Sequence, residues 1–268
     1  AGPYLNFYLK REVVAQKVLT EVLENPEKYG HVDLKSQEMV MLEYISPNTN
    51  KPLHLGHIRN GLVGSAVSEI LKTQSAEVFK NDIINDRGIH IIKSLFAYLK
   101  WGSSETPEST NTKGDHFVGK YYVLFNQEYN QEFLAWLKNK NLDFEKLSDP
   151  EKEKVKADFD QESLLMKQAH ELLQKWESGD QDIQVLWKKM NEWVYAGFEA
   201  TYKNLGFNFD RHYYESEIYQ KGKEIIIKAL EKGIFYKDET GAIVAPLSKH
   251  PEVWPIINGK QNPLDDKV

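Results

Sequence analysis

Residues 43–60 read Glu43-Tyr44-Ile45-Ser46-Pro47-Asn48-Thr49-Asn50-Lys51-Pro52-Leu53-His54-Leu55-Gly56-His57-Ile58-Arg59-Asn60. An apolar run before it, 39–45, carries one carboxylate, the pattern of a strand buried on both faces of a parallel sheet, and Pro47 ends it. After Pro52, apolar residues recur at Leu55, Ile58, Leu62, Ala66 and Ile70 in steps of three and four, which predicts a helix. A strand therefore feeds a helix, and His54 and His57 fall about one turn apart at its start. Open N–H groups and the positive end of the helix dipole favour a phosphate there, and two imidazoles add hydrogen-bond donors for phosphate oxygens. Gly56 between them lets a base or ribose lie against the backbone.

The alternation continues with a strand over 76–84 and a helix over 89–100, so the expected fold is α/β, a doubly wound parallel, Rossmann-like nucleotide-binding sheet. Ligands bind at the carboxyl ends of such strands, where the histidines and the turn Asn85-Asp86-Arg87-Gly88 both fall. That turn reads either as an Asn or Asp helix cap or as part of a substrate pocket. Residues 102–114 are a polar loop, and three charged helical stretches follow at 117–140, 150–176 and 183–205, the last closed by Gly206. A helix over 222–232 and a hairpin of 234–236 with 242–244 come next, before Pro246, Pro251 and Pro255 interrupt regular structure. The opening residues 4–9 look strand-like, and 11–23 forms an amphipathic helix ended by Asn25-Pro26.

Composition narrows the function classes. With Lys+Arg 34 against Asp+Glu 40, a net charge of -6 excludes a uniformly basic nucleic-acid surface, so any RNA contact is local or lies elsewhere. The absence of cysteine excludes a disulfide framework and thiolate metal sites. A His-x-x-His zinc reading lacks a third ligand at suitable spacing, so no protein-bound metal is expected. No apolar run nears the ~18 residues of a membrane span, and the expectation is a soluble cytoplasmic protein.

The string from Ser46 to Asn60 closely resembles arginyl-tRNA synthetases, and so do three strings downstream: Ile84 to His90, Lys113 to Val123, and Phe209-Asp210 followed by Glu215-Ser216. His54-Leu55-Gly56-His57 alone is shared by class I aminoacyl-tRNA synthetases and small-molecule adenylyltransferases. The resemblance implies an arginine–tRNA ligase that forms arginyl-adenylate from L-arginine and ATP with Mg2+, then transfers it to tRNA(Arg). It implies that His54 and His57 act on the phosphates, with Gly56 beside ATP. It also implies that Glu43, Asn48 and Glu215 hold arginine, whose planar guanidinium pairs with carboxylates. A salt bridge from Glu43 to Arg59 or Arg87 is the competing reading, and Glu215 reads equally as a surface residue. His90, Asp115, His116 and Lys120 suit packing or capping at least as well as chemistry.

The same resemblance divides the chain into 1–30, the end of an additional N-terminal domain; 31–101, the first half of the catalytic domain; 102–207, a helical connective insertion; and 208–268, a return to the catalytic domain. A second signature loop of the Lys-Met-Ser-Lys-Ser kind is not found, so the 268 residues are expected to be a fragment that does not activate arginine alone. The rival readings are a small-molecule adenylyltransferase, which is compact and lacks a long helical insertion, and a non-catalytic synthetase-like binding module.

Overall fold

The computed structural model describes residues 7–34, 38–239, 241–246 and 266–267. Helix α1 is Arg11–Glu24, strand β1 Met39–Glu43, helix α2 Leu55–Thr73, strand β2 Glu77–Ile84 and helix α3 Ile89–Trp101. β1 and β2 are parallel, in register from Met39↔Glu77 to Glu43↔Asn81, with α2 as the crossover a parallel pair requires. After the helical block the chain returns through β3, Arg211–Tyr214, and the sheet order is β1-β2-β3. The expected α/β sheet with a helical interruption is what forms. A second, antiparallel sheet holds β4 (Tyr236–Lys237), β5 (Ile243–Ala245) and β6 (Asp266–Lys267), with the expected hairpin in the register Tyr236↔Val244.

Two compact units divide the chain. The first gathers Ala1–Ile45, His54–Asp82 and Tyr202–Arg211. Here β1 departs from the expected doubly buried strand: Met39 is 74% and Met41 56% exposed, and Glu43 is exposed too. The strand also ends two residues early, because Ile45 (φ 71) and Ser46 (φ 41) turn into the left-handed region. That conformation is costly for a β-branched residue. It is held where the Ile45 N–H donates to Asn60 Oδ1 on α2 at 2.5 Å.

The apolar stripe of α2 does not face the core either, since Leu55, Leu62 and Ile70 are exposed. The side it buries is Gly61 and Ser68. Small residues there let the backbone approach large neighbours: a Cβ on Gly64 would lie 2.4 Å from the Tyr44 ring, and one on Gly61 2.7 Å from Phe207. Tyr44 in turn packs on Phe209 with ring centroids 4.6 Å apart. Gly64→Ala is therefore expected to destabilise the fold by about 1–3 kcal/mol through overpacking, measured by denaturant unfolding. A change within ~0.5 kcal/mol, the range of surface substitutions, would show that Tyr44 moves aside at no cost.

The second unit holds Ser46–Leu53, Ile83–Thr201 and His212–Val268. Beyond the irregular loop, α4 is Gly114–Asn139, α5 Asp149–Glu162, α6 Leu164–Glu177 and α7 Gln181–Leu205. The single helix expected over 150–176 is two helices, because Ser163 leaves helical geometry (ψ 126) and its hydroxyl accepts from the Met166 N–H to start α6. Phe117, Tyr121, Phe125 and Phe198 are fully buried at the centre of the unit. Helix α8, Glu215–Glu231, begins seven residues before the expected 222, so Glu215 lies in its first turn.

Helix α1 buries no residue, so its apolar side chains are not core, and residues 7–9 form no strand. Residues 4–6 of that expected strand, with Pro251 and Pro255, lie outside the described residues. Among the described residues no helix is long and apolar enough to cross a membrane.

Candidate active site

His54 is the N-cap of α2, with extended backbone at φ -117, ψ 173. Its Nδ1 accepts the Gly56 N–H at 3.1 Å, and the Nδ1 of His57 accepts the His54 N–H at 3.1 Å. Each ring thus caps the helix start reciprocally, as Ser and Glu do in a capping box. An Nδ1 that accepts places the proton of the neutral ring on Nε2. The rings lie 3.9 Å apart, tilted by 34°. A Cβ on Gly56 would stand 2.9 Å from His54 Cε1, so only glycine leaves this ring its capping position. The backbone N–H groups expected to receive a phosphate are partly spent on the imidazoles. Glu43, in the same unit, ends β1 with its carboxylate exposed rather than buried.

In the second unit, one turn after β2 organises the remaining predicted residues. Asn48 forms a parallel bridge with Asn85, whose Nδ2 donates to Asn48 Oδ1 at 2.8 Å. Next along, Asp86 is 1% exposed. Its carboxylate accepts the Ser216 N–H at 2.8 Å, the Ser216 hydroxyl at 2.6 Å and the Tyr195 hydroxyl at 2.9 Å. Its carbonyl accepts from Trp187 Nε1 at 2.7 Å. Arg87 follows, its guanidinium 3.6 Å from the Tyr219 ring centroid and 3.2 Å from the Glu177 carboxylate. Asn48 and the start of α8, which carries Glu215, are therefore tied to consecutive residues of one turn. A cleft of about 430 Å3 opens beside it, lined among others by Asp86, Trp187, Tyr195, Tyr214 and Ser216.

Electrostatics differ across this turn. Burial pushes the half-buried Glu215 carboxyl above the usual carboxylate range, Arg87 opposes that, and the Asp86 charge adds to it. Burial also raises the Tyr195 hydroxyl, reinforced by the charge of Asp86 and its hydrogen bond, so Tyr195 stays a donor at any ordinary pH.

Asp115 is buried against Gly197 and paired with Lys113 at 3.0 Å, and Lys120 pairs with Glu105 at 2.7 Å. The His90 ring contacts the Tyr122 hydroxyl at 3.1 Å, and His116 is exposed.

Residues 18–262 match the family described as tRNA synthetases class I (R), catalytic domain. The chain belongs to the class I arginyl-tRNA synthetases. An arginine–tRNA ligase of Parabacteroides distasonis is 47% identical over 233 residues, covering 87% of this chain and 37% of its own length. One from Treponema denticola is 45% identical over 248 residues, covering 92% and 37%. Thermus thermophilus arginyl-tRNA synthetase superposes with a TM-score of 0.63 at 26% identity, over 100% of this chain and 37% of that one. The chain thus spans well under half the length of the synthetases it matches.

Within this arginyl-synthetase domain, Tyr195 and Trp187 escape the sequence reading. Both sit mid-helix in α7, more than 100 residues from Asp86, and nothing local distinguishes them from core aromatics. The sequence offers Asp86 either as a cap for the helix that follows it or as part of a substrate pocket. That cap is Gly88, without a side-chain bond, and Asp86 serves α8 instead.

Proposed function

We propose that this chain is the catalytic core of an arginine–tRNA ligase, which in the full-length protein joins L-arginine to ATP and passes the arginyl group to tRNA(Arg) in the cytoplasm. The arginine carboxylate attacks the α-phosphorus of ATP, the bond to the bridging oxygen breaks, and pyrophosphate leaves with that electron pair. ATP enters as its Mg2+ complex, a substrate rather than a resident cofactor. Catalysis is then alignment and charge stabilisation, since a carboxylate nucleophile has no proton to lose. His54 and His57 supply Nε2–H donors to the phosphoryl oxygens, and Gly56 lets the nucleotide approach. Glu43 and Glu215 bind the cationic substrate, and Asn48 bonds its amino-acid end. Residues 102–207 are assigned to the connective insertion, flanked by catalytic-domain segments 31–101 and 208–268, with 1–30 trailing from an earlier domain.

One observation carries the phosphate assignment. The two imidazoles are anchored through Nδ1 to the start of the same helix, in a chain 45–47% identical to arginine–tRNA ligases. Pyrophosphate exchange by the full-length protein, with tRNA present, tests the ligase reading: exchange that depends on arginine and on no other amino acid is expected. Exchange with another amino acid, or none with any, overturns the reading.

Glu215 adds a pH signature. Its carboxyl is raised, so it takes up a proton at a higher pH than an ordinary carboxylate, and the protonated form cannot pair with guanidinium. The arginine KM is expected to rise as pH falls through that raised value, while the ATP KM stays level. Glu215→Gln should abolish this dependence; its persistence in the variant would assign the titration to another group.

A further inference from the structure

Tyr214, the N-cap of α8, offers no side-chain bond to the helix's open N–H groups. A buried carboxylate from elsewhere in the fold does so instead. Asp86 Oδ1 takes the Ser216 N–H at 2.8 Å and Oδ2 the Ser216 hydroxyl at 2.6 Å, a two-point grip at the positive end of the helix dipole. The Tyr195 hydroxyl donates to the same Oδ2 at 2.9 Å. One turn along α8, Tyr219 lies under the Arg87 guanidinium. Two points fix a helix start in rotation as well as position. Glu215 directly precedes Ser216, and residues follow one another by about 100° around the axis, so a small turn of α8 re-aims its carboxylate.

We infer that Asp86 is a positioning residue for arginine recognition: by gripping Ser216 it orients the first turn of α8 so that Glu215 faces the guanidinium. This rests on Glu215 being an arginine contact. It differs from a merely structural cap, which would support the fold without selecting between substrates.

The test uses the full-length protein and tRNA-supported pyrophosphate exchange. Ser216→Ala removes one arm of the grip and is expected to raise the arginine KM about tenfold, the loss of one hydrogen bond to a charged group, with the ATP KM unchanged. Asp86→Asn keeps an acceptor for the Ser216 N–H and should do less, whereas Asp86→Ala should do more. In a Glu215→Gln background Ser216→Ala should add nothing, because both act through one carboxylate. Should Asp86→Ala fail to fold, Ser216→Ala and Asp86→Asn decide. If Glu215→Gln leaves the arginine KM unmoved, the reading of Glu215 fails and the inference with it. If Glu215→Gln raises that KM but the Ser216 and Asp86 variants only lower the melting temperature, or add in full to it, Asp86 is a structural cap and the inference alone is overturned.

Discussion

His57→Ala in the full-length protein is expected to lower the turnover of arginyl-adenylate formation by about two to three orders of magnitude, the loss typical of one transition-state donor, with little change in the KM for arginine or ATP. The His57 Nδ1 is occupied by the His54 N–H, so the ring is already aligned before substrate arrives and its donor costs no reorganisation. A second effect must be separated from this one. The same substitution removes the acceptor for His54 and weakens the start of α2 by about 1 kcal/mol. His57→Glu keeps an acceptor at that position but cannot donate to phosphate. Normal stability with turnover still low identifies a transition-state role; recovery of turnover in His57→Glu would reduce His57 to a helix cap.

Glu43→Gln is expected to raise the arginine KM by about ten- to a hundredfold, the scale for losing a hydrogen bond to a charged group, and to leave the ATP KM unaltered. Glu43 is exposed at the end of β1, so the melting temperature of the variant is measured beside the two KM values. Equal losses for arginine and ATP, with a lowered melting temperature, would return Glu43 to a structural role.

Local chemistry made much of this protein legible. The strand and the His54–His57 helix start depend on near neighbours in sequence, which periodicity and punctuation report directly, and the parallel crossover follows from strand, helix and strand in succession. The same applies to the hairpin, whose register follows from its short connection. The four family-like strings are themselves local, so family membership was readable before any coordinates.

What the sequence left open depends on which surfaces meet. Periodicity marked an apolar stripe on α2, but the buried side is set by Gly61 and Gly64, whose missing side chains admit Phe207 and Tyr44. A composition pattern weighs large apolar residues and overlooks small ones that permit contact. The left-handed Ile45 and Ser46 were invisible too, since nothing in either residue favours that backbone and only the surrounding bonds hold it.

By itself the sequence determined the α/β class, the placing of two histidines at a helix start and the synthetase family, because each is written in residues close along the chain. Tertiary structure alone decided that Asn48 and the first turn of α8 hang from Asn85 and Asp86. Those bonds join residues 37 and 130 positions apart, and a long-range hydrogen bond leaves no spacing in one sequence from which to read it.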